Sequence, residues 1–379
     1  MKTRMPFILL GFSLLLLLLY RVLPGFMDTV YSGFIYRFLA QGVSSVMALI
    51  PFSLAEIVLY LLVPFLLFYL VRGVVRLAAG PYARAAVLWK KYLRNLGLLM
   101  VWGISVFLLT TGVHYHRLPL EDHLGLTVGP SAAEELHELA GEIVRQVNRT
   151  ASFTRRSPEG NMIPEHTFSG YRKDIMKAYD SLAVNTGLKV GGYYPSTKPV
   201  MASRGMSYAF VSGFFFPWTL EANVNKDIPV FLVPAVMTHE QAHVRGFMRE
   251  NEANFLTYLV VRHTTNTDLK YSCLLHSLNY LLHAVYNALP DQYEGLMKSL
   301  SPRVLHDLAQ NRAYWEPFRS SFSEMSRQVN DAYLKANSQR DGIASYGKVV
   351  DLMIADHKFS NLRVQQNPET SVCIGEGTL

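Results

Sequence analysis

The chain has 379 residues, a net charge of +7 and half of its residues hydrophobic, which is room for a membrane region and one soluble domain. Residues 1–115 carry ten Lys/Arg against two acids (+8), whereas residues 116–379 carry 26 basic and 27 acidic residues (−1), so the later part lacks the basic footprint of nucleic-acid binding. Two cysteines, Cys273 and Cys373, exclude a disulfide framework or a CxxC metal site.

Three segments qualify as membrane spans. Residues 5–20 lie uncharged between Arg4 and Arg21. Residues 57–71 lie between Glu56 and Arg72, with the apolar run reaching back to about Met47. Residues 95–113 lie between Arg94 and His114. A spanning helix needs about 20 mostly apolar residues. The first segment has the basic start of a signal peptide, but Arg-Val-Leu-Pro follows in place of a small-residue cleavage site, so a retained anchor is expected. Residues 27–46 read as an amphipathic segment on the outer membrane face, and Glu56 as an interfacial residue. Three spans with no other ionisable group inside them argue against a transporter.

Residues 131–149 predict an amphipathic helix. Ser131 and Glu134 form a capping box, and Leu136, Leu139, Ala140, Ile143, Val144 and Val147 form an apolar stripe. Residues 171–185 predict another helix. Between 187 and 233, glycine, proline, aromatic and β-branched residues predict short strands and turns, including SYAFVSGFFFPWTLEANVN and IPVFLV. Helices follow at 235–245, about 249–264, 269–287, 303–337 and 342–357. The expected class is α+β, mostly α, with a membrane region (1–115), a zincin-like domain with a small sheet (116–358) and a flexible tail (359–379).

The chemistry centres on HEQAH at 239–243. His239 and His243 stand four apart on a helix, so both imidazoles leave one face and can share a tetrahedral zinc ion. Glu240, beside the first histidine, suits the general base that takes a proton from the metal-activated water. Gly246 ends the helix, and MRENEANF then starts a return helix. The third ligand is expected there, Glu250 or Glu252. These two differ by about 200° around a helix, so both cannot face one metal. Asn254 shares the Glu250 face and could orient a ligand histidine. Both glutamates also suit a helix first turn without any metal.

HEQAH followed by ENEAN resembles the gluzincin pattern of HExxH and a later ExxAD. That resemblance implies Glu250 as the ligand and Asn254 as its supporting neighbour, with Asn where the pattern has Asp. PSTKPVMAS, SGFFFPWTLEANVN and VMTHEQAHVRGFMRENEANFLTYL, with HYHRLPLEDHLGL and SYGKVVDLM, are also similar to a bacterial family of membrane-anchored zincin-like proteins. Glu221, in a presumed edge strand, could line the cleft, and Tyr346 or His357 could stabilise an oxyanion, as a late Tyr or His does in gluzincins. His263, His276 and His283 read as helix-face histidines, and Cys273 as a small core residue.

The leading expectation is a membrane-bound zinc endopeptidase acting on peptide or protein outside the cytoplasm. The alternatives are a catalytically weak zincin that binds a cell-envelope partner with structural zinc, and a membrane sensor or assembly factor. Topology follows from basic residues on the cytoplasmic side. Lys2 and Arg4 precede the first span, and the 72–94 loop holds six basic residues and no acid. Residues 116–379 then lie outside the cytoplasm. A reporter fused after residue 120 is expected to behave as exported; a cytoplasmic signal there would overturn this topology.

Overall fold

A computed structural model describes residues 4–78, 82–129, 131–337, 339 and 348–366. Helices dominate the chain. In order they are α1 (Met5–Val22), α2 (Pro24–Met27), α3 (Arg37–Ala48), α4 (Leu54–Ala78), α5 (Tyr82–Thr110), α6 (Leu120–Leu124), α7 (Ala133–Phe153), α8 (Phe168–Thr186), α9 (Ser203–Tyr208), α10 (Val233–Val244), α11 (Glu250–Val260), α12 (Thr267–Ala288), α13 (Pro290–Lys298), α14 (Pro302–Trp315), α15 (Ser321–Ala336) and α16 (Lys348–Gln366). A single small mixed sheet holds β1 (Thr197–Val200), β2 (Gly213–Phe216) and β3 (Glu221–Asn225). β3 is central. β1 runs parallel to it, with Thr197 opposite Ala222, and β2 antiparallel, with Gly213 opposite Val224.

Among the described residues, three helical stretches are long and apolar enough to cross a membrane: Met5–Val22, Leu54–Arg76 and Val87–Thr110. α5 packs against both α1 and α4. Their ends at Val22, Leu54 and Thr110 all lead into chain that packs on the sheet-bearing domain. Residues 24–48 run as α2, a π-helical stretch Asp28–Tyr36 and α3. Tyr31, Tyr36, Ala40 and Ser44 are buried on one face, while Phe34 and Phe38 are 73% and 80% exposed on the other. The segment is thus amphipathic, and its buried face joins a cluster with Val113, Tyr194, Leu220, Ala222 and Val244. The expected boundary at 115 therefore runs through a shared core.

A buried ionic anchor seats α4 on the sheet. The Glu221 carboxylate accepts from the amides of Leu54 (3.2 Å) and Ala55 (2.8 Å), from Thr219 Oγ1 (2.7 Å), and pairs with Lys198 Nζ (2.7 Å). A carboxylate at the first amides of a helix satisfies donors that have no partner within it and meets the positive end of its dipole. Lys198 Nζ also donates to the carbonyls of Met47 and Phe52. Ser53 Oγ accepts from the Glu56 amide and donates to Asn223 Oδ1. Glu56 in turn accepts from the amides of Met201 and Ala202 at 2.8 and 2.7 Å. Glu221 therefore caps α4 and does not line a cleft, and the edge strands are β1 and β2, not the TLEANVN segment.

Four local expectations need adjustment. The first soluble helix starts at Ala133, and its cap is Glu135 reaching back to the Ala132 amide (2.8 Å), one residue later than Ser131 and Glu134. IPVFLV makes turns and no strand, because Pro229 has no N–H for a ladder. The run 303–337 breaks into α14 and α15 at Pro317, after which Ser320 caps α15 by accepting from the Ser323 amide. α16 continues to Gln366, past the expected start of the tail at 359.

Cutting Glu221 to alanine leaves Lys198 buried without its carboxylate. Loss of one partner of a buried pair costs about 3–5 kcal/mol. Glu221→Ala is expected to lower the melting temperature of the detergent-purified protein strongly. An unchanged melting curve would show that this anchor carries little stability.

Candidate metal centre

α10 is buried on nearly every side, with β3 and β2 against one flank and α11 and α12 against the other. Its polar residues are therefore tied down. Ser272 Oγ accepts from the Ala235 amide (2.9 Å), Tyr179 Oη donates to the Thr238 carbonyl (2.9 Å), and Gln241 bonds to Thr197 Oγ1 of β1. The guanidinium of Arg245 lies 4.0 Å and 4.4 Å from the ring centroids of Tyr179 and Tyr194. Cys273 is a buried core residue behind Thr238, as expected.

Gly246 ends α10 with φ +85°. A Cβ there would also come within 3.1 Å of Tyr36 and 3.3 Å of His114, so any other residue meets both strain and a clash. The Gly246 carbonyl accepts from Arg117 Nη1 (3.1 Å), and Arg117 Nε pairs with Asp28 (2.6 Å). The turn reverses the chain, and α11 packs back along α10.

That return brings Glu250 to the two histidines. His239 Nε2 and His243 Nε2 are 3.2 Å apart. Glu250 Oε2 is 3.2 Å from the first, and Oε1 is 3.7 Å from the second. Nitrogen and oxygen ligands about 2.0–2.1 Å from a tetrahedral ion lie about 3.3 Å from each other, so this spacing fits a shared cation. His243 Nδ1 is 2.7 Å from the Phe247 carbonyl; donating there leaves the Nε2 lone pair for a metal. Among the described residues, His239, His243 and Glu250 form the cluster that could hold a metal ion.

Glu252 is turned elsewhere. Its Oε1 accepts from the Leu120 amide at the start of α6 (3.0 Å), and its carboxylate pairs with Arg249. The helical twist that separates the two glutamates thus sends one to the metal cluster and the other to a helix cap.

Glu240 stands beside the cluster with Oε2 buried and lacking a hydrogen-bond partner. Burial pushes its carboxyl up to about 8, with His239 pulling it back. A bound cation would favour the carboxylate again. Burial also depresses His243 to about 4, so its imidazole is neutral, the form that binds metals.

Other residues at the centre could not be picked out from sequence. Gly213 of β2 abuts Glu240: a Cβ there would lie 2.6 Å from Glu240 Oε1. Only glycine lets the strand pass so close to the carboxylate. Asn254 Oδ1 is 2.9 Å from His276 Nε2, so the amide expected to orient a motif histidine, and which also interacts with His239, meets a third one, whose ring lies 6.4 Å from that of His239. Burial lowers His276 to about 3, which keeps it neutral. The signal in sequence was three similar histidines on adjoining helices. Only His276 reaches the centre; His263 bonds Ser181 and His283 bonds Asn287.

The cluster lies in a cleft of about 800 Å³. One wall is Gly213, Phe214 and Phe215 of edge strand β2; opposite are α15 and Tyr280 of α12, and the residues just after α5, Thr111 and Tyr115, close another side. His357 is remote on α16, near Glu138 (3.6 Å), and Tyr346 lies outside the described residues.

Metal content measured by inductively coupled plasma mass spectrometry is expected to collapse in Glu250→Ala. It should persist in Glu252→Ala, which loses stability instead because the α6 cap is gone. The reverse pattern would move the ligand role to Glu252.

No curated protein and no solved structure matches the chain. Residues 31–354 match the model of a family described as "Protein of unknown function (DUF3810)", a description that assigns neither a metal nor a peptidase activity. The match runs from the π-helical stretch after α1 into the first turns of α16 and includes every residue of the metal cluster, and the chain belongs to that family.

Proposed function

We propose that this protein is a membrane-bound zinc peptidase whose domain is zincin-like and faces away from the cytoplasm. The observation that carries the reading is the buried Glu240 carboxylate, without a hydrogen-bond partner on Oε2, beside two imidazoles and a carboxylate at tetrahedral spacing. A purely structural site has no use for an unsatisfied buried acid, which is costly. Two histidines and a glutamate are a zinc donor set that leaves a fourth position open. When bound, zinc supplies Lewis acidity that polarises a carbonyl and acidifies water.

The remaining steps belong to side chains. Glu240 takes the proton of the attacking water and hands it to the leaving amine. Gly213 keeps β2 tight against that carboxylate, so a substrate paired with the strand would have its carbonyls next to it. β2 is paired only with β3 among the described residues. Its outer edge therefore offers backbone donors and acceptors to an extended polypeptide, the mode in which a strand adds to a sheet. Tyr280 and His276 line the same cleft, within the neighbourhood where an oxyanion needs a donor. The six basic residues between 72 and 94, at the end of α4 and the start of α5, support the orientation.

Glu240→Gln preserves shape but cannot accept a proton. It is expected to keep its zinc and its melting temperature and to lose peptidase activity by about 10²–10⁴. The measurement is cleavage of a peptide library by the purified protein, with zinc content determined on the same sample. Cleavage at the parental rate would remove Glu240 from the mechanism, and a parental protein with zinc but no cleavage would favour the structural-zinc alternative.

A further inference from the structure

α15 presents three different faces. At about 100° per residue, Ser323, Arg327 and Asn330 line the metal cleft, with Glu324 and Tyr333 at its borders. Glu324, Gln328, Asp331 and Lys335 form a polar face, with ion pairs Arg327–Glu324 (2.6 Å) and Lys335–Asp331 (2.7 Å). The remaining arc of about 100° is apolar: Phe322, Met325, Val329, Ala332, Tyr333 and Ala336. Phe322, Met325 and Val329 are 51%, 53% and 65% exposed. A charged face beside a bare apolar stripe is the pattern of a helix lying in a membrane interface.

What covers that stripe is indicated at its C-terminal end. The ring of Tyr333 meets that of Phe107, centroids 6.3 Å apart, in the last turn of spanning helix α5. The stripe therefore abuts the end of a helix long and apolar enough to cross a membrane. A second element reaches the same level. Trp218, between β2 and β3, donates from Nε1 to the Gly103 carbonyl of α5 (3.1 Å), and its ring lies 6.4 Å from Phe107. Gly103 is about 10 Å below Thr110 along the helix, so the half-exposed Trp218 sits at the depth where tryptophans occupy the headgroup layer.

We propose that the apolar stripe of α15, with Trp218, docks on the lipid bilayer at the domain side of the membrane, so that the metal cleft opens at the membrane surface. α15 then serves as both cleft wall and bilayer contact. The occupant is lipid rather than a second copy of the chain, because Tyr333 of the stripe and Trp218 both meet α5 within a candidate membrane span, at Phe107 and Gly103.

The test uses the full-length protein in phosphatidylcholine vesicles. In a Cys373→Ser background, where Cys273 is buried, single cysteines replace Met325, Val329 and, as the polar-face control, Gln328. Each carries an environment-sensitive nitrobenzoxadiazole label, and acyl-chain-brominated phosphatidylcholine is the quencher. Labels at 325 and 329 are expected to be quenched several-fold more than the label at 328. Equal quenching at all three, or greater quenching at 328, would overturn the proposal. So would labels at 325 and 329 that escape the lipid quencher but shift in emission with protein density, which would point to a second copy. Fluorescence needs no turnover, so this outcome is independent of whether the peptidase reading holds.

Discussion

The reversal at Gly246 is the constraint on which the other features depend. Its left-handed backbone turns the chain through a space that Tyr36 and His114 leave no room to enlarge. On one side of the turn stand His239 and His243, and on the other Glu250. The same carbonyl is held by Arg117, which is paired with Asp28 of the π-helical stretch. A single turn thus closes the candidate metal cluster and locks α10 to the chain that follows α1. Tyr36 Oη, donating to the Val244 carbonyl (3.2 Å), reinforces the joint from the membrane side.

The consequence is a molecule in which membrane and soluble parts are not independent. Glu221 and Lys198 tie β3 and β1 to the start of α4, Glu56 ties α4 to the chain after β1, and Trp218 ties the β2–β3 turn to α5. The first two use buried carboxylates that accept from backbone amides, so they fix geometry as well as adding stability. The sheet is small, but each of its strands either abuts the metal helix or is bonded to a span. The cleft is accordingly framed by elements of both regions: β2, α12 and α15 from the domain, and the residues after α5 from the membrane.

The electrostatics of the centre follow from its burial. With little water present, an unpaired carboxylate such as Glu240 is driven toward its protonated form, and imidazoles such as His243 and His276 toward neutrality. A cation among the three donor groups reverses the first tendency and is compatible with the second. The site is thus poorly satisfied as a bare protein cluster and well matched to a positive ion.

Local pattern alone determined much of this protein. Long apolar runs marked three helices long and apolar enough to cross a membrane, the i, i+4 histidines marked one helix face that could hold a metal ion, and a glycine marked its end, because each signal acts within a few residues. The antiparallel return also limited the third ligand to Glu250 or Glu252. Only tertiary structure placed Glu250 beside the two histidines and Glu252 away from them, since both flanks of α11 are apolar and the difference rests on Leu120, more than a hundred residues away, claiming Glu252. The same holds for Glu221, whose partners Leu54 and Lys198 come from other segments, and for Gly213, whose need for hydrogen in place of a Cβ arises from Glu240 across the sheet–helix interface. His276 differed from its neighbours in nothing but the amide of Asn254 opposite it. Periodicity records which face a residue occupies. Which partner waits on that face is set by packing between distant segments, and a sequence read by itself carries no local trace of it.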